Sequence, residues 1–574
     1  MARMSATPCT PFDRDAALAR LSDQHFDVLV VGGGITGAGV ALDAAARGLR
    51  TALVERRDFA SGTSSASSKL IHGGLRYLQQ REFRLVYEAL AERQRLLENA
   101  PHLVEPLAFL IPLFGRNGVL KQGLAWTYAN ALWLYDLTGG WRIGRRHKRI
   151  SKQEALARFP SLKADRLVTG FIYWDARTDD ARLTLTVIRT AVTEYGAVAA
   201  NYAPVVAVSK EPTTGKVCCA TLADGLNVHA DVIVNAGGVW ADQVRGLDEG
   251  PDARGWLRPA KGVHLSFPAS RLPVTTAAVL PVAGDRRSIF VVPWGDFVYA
   301  GTTDTDYDGP LDDPKCTPDD VAYVLGALNA AITEPLDEGD VAGTWAGLRP
   351  LVRGAISERT ADLSRRHRVS VSADGVVTVT GGKLTTYRNM ASDTVDEVVR
   401  LLGRGAKRSP TKQLSLLGAS RLQALKDPGA AERLGVADDR LRHLVGRYGT
   451  EARTLIAMTR SDPDLGRPLV SGVPYLRAEA VYAARYEMAR TLEDVLSRRT
   501  RALLFARDAS AAAARDVARL IAPELGWSSD QVEEEVSQYR ALVAGVRQAA
   551  GLPETMTPVG ASDAGEADAA AGAR

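Results

Sequence analysis

The sequence predicts an α/β domain that carries a β-rich insertion and is followed by an all-α domain, on three observations. An apolar run, Phe26-Asp27-Val28-Leu29-Val30-Val31, breaks into Gly32-Gly33-Gly34-Ile35-Thr36-Gly37 and then into an Ala-rich helical stretch. Between Val217 and Thr302, short apolar runs are separated by Gly, Pro and Asp, the pattern of strands and turns. Beyond Pro410 the composition turns to Ala, Leu, Arg and Glu at helical spacing, as in Ala478 to Arg490.

Length supports this division, since 574 residues exceed one ordinary core. The expected layout is an N-terminal extension over 1–25, a discontinuous α/β and substrate region over 26–405 with the substrate part mainly about 205–370, and a separate helical domain over 406–550. Residues 551–574 end in Ala-Asp-Ala-Gly-Glu-Ala-Asp-Ala-Ala-Ala-Gly-Ala-Arg, which offers little apolar surface and is expected to be disordered. No internal repeat is visible.

The first strand, glycine turn and helix form the context of a Rossmann-like dinucleotide site. Gly32 permits the tight turn, Gly34 lets the backbone approach a pyrophosphate, and Gly37 lets the helix pack on the strand. The next strand, Thr51-Ala52-Leu53-Val54, ends in Glu55, where a carboxylate accepts from both ribose hydroxyls and repels a 2′-phosphate. An unphosphorylated ribose is therefore expected.

A polar loop, Ser61-Gly62-Thr63-Ser64-Ser65-Ala66-Ser67-Ser68, leads into Lys69-Leu70-Ile71-His72-Gly73-Gly74-Leu75-Arg76-Tyr77 and reads as a binding loop. A helix follows over Phe83 to Asn99. The strands expected next are Val232-Ile233-Val234, Val263-His264-Leu265, Ile289-Phe290-Val291-Val292, Val298-Tyr299-Ala300 and Val376-Val377-Thr378-Val379-Thr380. The last ends at Gly381-Gly382-Lys383 and feeds a helix over Met390 to Leu402.

Composition excludes several classes. A formal charge of +4 provides no global basic field for nucleic acid. Cys9, Cys218, Cys219 and Cys316 lack metal-ligand spacing, so no metal is expected, and they fit a reducing cytosol. The N-terminus lacks a signal-peptide core, and no run has the ~20 apolar residues that span a bilayer.

Only one clear dinucleotide fingerprint is present, and the chain does not continue through regular βαβ units. Instead, Val232-Ile233-Val234-Asn235-Ala236-Gly237-Gly238-Val239-Trp240 returns late as an apolar strand breaking into glycines. That layout suits FAD, which lies stretched through its domain, better than a nicotinamide nucleotide.

The chain resembles the FAD-dependent, respiratory, quinone-linked glycerol-3-phosphate dehydrogenase family. The resemblance rests on the glycine turn, on Thr63 through Leu78, and on Ala176-Arg177-Thr178-Asp179-Asp180-Ala181-Arg182. It continues through Gly301-Thr302-Thr303-Asp304, Leu348-Arg349-Pro350-Leu351 and Gly381-Gly382-Lys383-Leu384-Thr385-Thr386-Tyr387-Arg388. Thr491 through Leu496 and Arg498-Arg499-Thr500 extend it into the helical region.

The resemblance implies noncovalent FAD contacted by Gly32, Gly33, Gly34, Gly37, Glu55, Ser64, Ser65, Ser68, His72, Gly73, Gly74, Gly237, Gly382, Lys383, Leu384 and Thr385. It implies a glycerol 3-phosphate site built from Arg76, Tyr77, Arg349, Arg365 and Lys383. Arg349 and Arg365 are assigned chiefly to the phosphate, since a guanidinium fork binds two oxygens at once. The register within Arg365-Arg366-His367-Arg368 stays open. Arg76 and Lys383 are placed nearer the reacting carbon, and His264 is the candidate general base. His72 competes for that role, but its place beside Gly73-Gly74 points to flavin contact.

The implied reaction gives dihydroxyacetone phosphate and passes electrons to a membrane quinone. Two alternatives stand beside it: an oxidase that delivers electrons to oxygen and releases hydrogen peroxide, and a non-catalytic flavin-binding regulatory protein. Residues 115–152 combine Leu124-Ala125-Trp126 through Ala131-Leu132-Trp133-Leu134-Tyr135 with Arg142, Arg145, Arg146, Lys148, Arg149 and Lys152. Aromatics flanked by cations suit an interfacial anchor, which would place the protein at the inner face of the cytoplasmic membrane as a peripheral partner of its surface. The plainer reading is a buried helix followed by a solvated basic loop. A homodimer is one assembly the sequence leaves open.

Overall fold

The computed structural model describes residues 12–74, 82–115, 124–250, 255–282, 284–285, 287–352, 367–403 and 405–555. The predicted Arg76, Tyr77 and Arg365 lie outside the described residues, as does most of the predicted tail.

The first strand, His25–Val31, is buried from Phe26 onward and pairs in parallel with Thr51–Val54 on one side and Asn227–Asn235 on the other. Val198–Ala200 extends the first flank and Val377–Thr380 the second. Along the chain these five strands therefore sit in the order third, second, first, fourth, fifth. The order reverses between His25–Val31 and Asn227–Asn235, and such a switch point opens a crevice at the carboxyl ends of the strands. Their continuous apolar runs suit strands covered on both faces.

The helix Ile35–Ala46 packs across this sheet so closely that a Cβ on Gly39 would lie 2.8 Å from the Tyr387 ring of the helix Tyr387–Leu402. The predicted helix over Phe83 to Asn99 is present with those bounds. The helix expected from Met390 begins earlier, at Tyr387, after a single turn at Leu384–Thr386.

A second, ten-stranded sheet is largely antiparallel. It includes Leu257–Pro268, paired with Phe297–Gly301 on one edge and Gly343–Val352 on the other. It also includes Val104–Phe114 and Leu167–Thr178, which the sequence reading did not anticipate. Residues 205–235, by contrast, form a hairpin and strand of the first sheet. The second sheet is thus assembled from 70–178 and 257–352, because antiparallel strands distant in sequence pair there.

One face of this sheet packs on the helix Pro318–Ala331, which supplies Val321, Val324 and Leu328 to the core. On the other face, Val292, Tyr299 and Trp345 share a core with the C-terminal helices Arg477–Tyr486, Arg507–Leu525 and Ser529–Ala549. The helical region expected to stand separately therefore covers one face of the second sheet. Only its outer part, around Leu441, Leu444 and Leu455, has a core of its own.

Candidate active site

The cleft opens at the switch point. Gly32 has φ +118°, a conformation glycine enters without penalty, and a Cβ there would lie 2.6 Å from the Ala236 carbonyl oxygen. A Cβ on Gly37 would lie 1.9 Å from the Gly32 carbonyl oxygen, so helix and turn approach as only glycine allows. Gly34 caps the helix without a side chain, and the Ile35 N–H donates to Ser64 Oγ at 2.8 Å. This leaves a backbone cradle at a helix N-terminus, where the dipole favours a phosphate.

Glu55 closes the far end of this cradle. Its carboxylate accepts from the Gly33 N–H at 2.7 Å and the Arg57 N–H at 2.9 Å. Burial raises its proton affinity, and these two donors oppose that rise. Gly33 is packed against the Glu55 and Phe59 side chains, so its part is to seat the carboxylate.

From Glu55 the cleft runs past Ser64, Ser68, His72 and Gly237 to His264, Arg349, Gly382, Lys383, Leu384 and Thr385. Ser65 and Gly73 stand one layer behind. The Ser65 carbonyl accepts from Lys69 Nζ at 3.1 Å, and the Gly73 N–H donates to the Tyr135 hydroxyl at 3.0 Å. Tyr135 in turn donates to Asp175, which is ion-paired to buried Arg93. Gly74 has φ +79° and ends the described part of this loop. His72 is tied to Thr385, whose hydroxyl accepts the His72 N–H at 3.1 Å.

The deep end is built on two paired strands. Gly262 and His264 face Gly347 and Trp345 across the register of Leu257–Pro268 and Gly343–Val352. A Cβ on Gly262 would meet the Arg349 guanidinium at 2.5 Å, so its absence makes room for the fork. Arg349 pairs with Asp304 at 3.0 Å and donates to Thr302 Oγ1 at 3.2 Å.

The His264 ring stacks on the Trp345 indole at 4.9 Å with 10° between planes, and its Nε2 lies 2.9 Å from Ser68 Oγ. Its buried Nδ1 has no hydrogen-bond partner among the described residues. Burial first, then the cations Lys69 and Arg349, hold its proton affinity well below the ordinary imidazole value. A neutral ring that donates Nε2–H to Ser68 leaves Nδ1 as the unprotonated ring nitrogen. Lys383 follows Gly381 and Gly382, both at positive φ, and precedes the turn Leu384–Thr386.

Trp345, Thr302 and Trp240 belong to this region and were not selected as site residues from the sequence. A strand has period two, so Trp345 lies on the same face as Gly347 and Arg349. That spacing was the signal available.

Two family models match the chain in succession. Residues 27–388 match the family described as FAD dependent oxidoreductase, and residues 409–532 match the C-terminal domain of alpha-glycerophosphate oxidase. The fold and the cleft are those of an FAD-dependent oxidoreductase. Glycerol-3-phosphate dehydrogenase 2 of Mycobacterium tuberculosis is 43% identical over 544 residues, covering 93% of this chain and 90% of that protein. The mitochondrial glycerol-3-phosphate dehydrogenase of Homo sapiens is 38% identical over 553 residues, covering 92% and 75%. The crystal structure of glycerol-3-phosphate dehydrogenase from Bacillus halodurans complexed with FAD matches with a TM-score of 0.74 at 32% identity, covering 93% of this chain and 97% of that one. The chain belongs to the FAD-dependent glycerol-3-phosphate dehydrogenase family.

The residues present fit FAD. Gly32 and Gly34 leave the phosphate cradle free of Cβ atoms, Glu55 stands at its ribose end, and the cleft continues to the glycine turn before Lys383.

Proposed function

We propose that this enzyme oxidises sn-glycerol 3-phosphate to dihydroxyacetone phosphate and passes the electrons to a membrane quinone. The observation that carries the reading is the meeting of a buried neutral imidazole, His264, with Arg349 and Lys383 in the same cleft as the dinucleotide cradle. The flavin supplies the hydride acceptor for the C2 hydrogen.

The protein residues do the rest. His264, unprotonated at neutral pH, takes the C2 hydroxyl proton. Arg349 receives the substrate phosphate with its planar fork, exchanging part of its contact with Asp304 for the dianion. Lys383 stabilises the alkoxide that develops at C2. Arg76, Tyr77 and Arg365 are assigned to the same substrate on the family resemblance.

A contact with the membrane surface fits an acceptor that resides in lipid. On the helix Leu124–Leu137, Leu132 and Tyr135 enter the core, while Trp126 is 73% exposed, Trp133 51% and Leu137 73%. Exposed Arg145, Arg146, Lys148, Arg149 and Lys152 follow. This is a half-buried helix with an apolar outer side and adjacent cations, as an interfacial anchor at the inner face of the cytoplasmic membrane requires. No helix among the described residues is long and apolar enough to cross a membrane.

A second reading, oxygen as acceptor with release of hydrogen peroxide, is favoured by the match of 409–532 to the alpha-glycerophosphate oxidase C-terminal domain. Steady-state turnover with a short-chain quinone and with oxygen alone separates the two. Turnover with the quinone and negligible peroxide supports the dehydrogenase; equal turnover with oxygen alone rejects it.

A further inference from the structure

The loop from Thr63 to Lys69 touches the cleft at both ends. Near one end Ser64 accepts the Ile35 N–H of the phosphate cradle, and near the other Ser68 meets His264. At its start Thr63 Oγ1 donates to the carbonyl of Leu348, next to Arg349, and further on the Ser67 carbonyl accepts from Trp345 Nε1 at 3.2 Å. The geometry of the whole cleft therefore depends on what holds this one loop.

It is held from behind by a buried carboxylate, Asp180, and at its far end by the Tyr299 hydroxyl, which donates to the Ser68 carbonyl at 2.8 Å. Asp180 is fully buried, and its Oδ2 accepts the Ser67 N–H at 2.9 Å and the Ser67 hydroxyl at 2.6 Å. Its Oδ1 accepts Lys69 Nζ at 3.1 Å and also the guanidinium of Arg501. Arg501 comes from the C-terminal domain, is itself buried, and donates a further bond to the Ser65 carbonyl at 3.2 Å. It bonds Asp179 at 3.0 Å through Nε, so one planar fork ties the helix start at Asp179–Asp180 to the loop.

The two cations that flank Asp180 share an uncommon backbone state. Lys69 has φ +56° and Arg501 φ +70°, a left-handed conformation that non-glycine residues adopt only where the surroundings impose it. Arg501 follows the π-helical turn Asp494–Arg499, a form concentrated at functional sites. From that turn Arg498 and Arg499 pair with buried Asp58, just before the loop. Arg501 does not line the cofactor cleft.

We propose that Arg501 is a positioning residue for the flavin site: acting through Asp180 and the Ser65 carbonyl, it makes the C-terminal domain the support that sets Ser64 and Ser68 against the cofactor. The proposal rests on the FAD dependence of the family and not on the role assigned to His264. It gives the C-terminal domain a part in cofactor binding beyond covering the second sheet.

The test compares three variants of the full chain, each prepared as apoprotein. R501K keeps the charge but not the fork, and S67A removes one loop contact to Asp180 without uncovering a charge. R189K is the control, since Arg189 docks the same domain through Glu451 without touching the loop. Apoprotein melting temperatures and FAD dissociation constants, read from quenching of flavin fluorescence, are measured for all three. With the loss of a charge-assisted bond transmitted to the loop, R501K should bind FAD about tenfold or more weakly than R189K at a comparable melting temperature. S67A should weaken FAD binding in the same direction while melting close to the parent. If R501K and S67A both bind FAD within about twofold of R189K, the proposal is overturned. Should R501K fail to fold, R501Q, which keeps a donor for the Ser65 carbonyl without the charge, decides on the same terms, since Ser67 itself lines the cleft.

Discussion

Ser68 Oγ lies 2.9 Å from His264 Nε2, a contact between residues 196 apart in sequence. It orients the imidazole that the Trp345 indole already holds flat, and it leaves Nδ1 as the remaining ring nitrogen. A base must be fixed in direction as well as in protonation state, and this contact fixes the direction.

His264→Gln should slow flavin reduction by glycerol 3-phosphate by roughly 100-fold, the lower range for loss of a general base. FAD content should stay near that of the parent enzyme. Rapid-mixing absorbance under anaerobic conditions measures both, and an unchanged reduction rate would move the base role to another residue.

Arg349→Ala tests the phosphate assignment by substrate comparison. Losing one side of a hydrogen-bonded charge contact amounts to about 2 kcal/mol or more, so kcat/KM for glycerol 3-phosphate should fall about 30-fold or more. The corresponding value for glycerol, which lacks the phosphate, should change far less. Equal losses on both substrates would show that the substitution disturbs the cleft through Asp304 instead.

Much of the cradle was legible in the sequence because its rules are local. Gly32, Gly34, Gly37 and Glu55 follow from a strand, a turn and a helix within one short segment, and Gly381-Gly382 announces itself by the same means. The second sheet was less legible, since Val104–Phe114 and Leu167–Thr178 pair across a long separation with the helix Leu124–Leu137 between them. Asp180 stood in a segment that marked the family and Arg501 directly after another, yet no local pattern gives a carboxylate its partner 321 residues away. Asp304 was hidden for the same reason: its meaning appears only when the strand bearing Arg349 is placed beside it.

Acid should weaken the fold through two buried histidines. Burial lowers His102 from 6.5 to about 4, and His264 is lowered as well. The unfolded chain then binds more protons, so stability is fully present above pH 6.5 and declines as pH falls towards about 4. For His102 alone the loss is roughly 3 kcal/mol over that window. Urea unfolding between pH 7 and pH 4 should show this slope, and His102→Gln should flatten it; an unaltered slope would contradict a buried neutral His102.

Membrane contact makes a salt-dependent prediction. The protein should sediment with vesicles containing anionic phospholipid at low ionic strength and be released at high salt or by carbonate, because the Arg145 to Lys152 cations act through a screened field. Replacing exposed Trp126 and Trp133 by Ser should weaken sedimentation without lowering turnover with a water-soluble acceptor. A protein that stays wholly in the supernatant at low salt would eliminate the contact.

Oxidation of glycerol 3-phosphate in this cleft must reduce the bound flavin. Anaerobic addition of glycerol 3-phosphate to the purified holoenzyme, with no acceptor present, tests it most directly. The visible flavin absorbance should be lost, with dihydroxyacetone phosphate formed in equal amount. A flavin spectrum that stays unchanged at saturating glycerol 3-phosphate would contradict it.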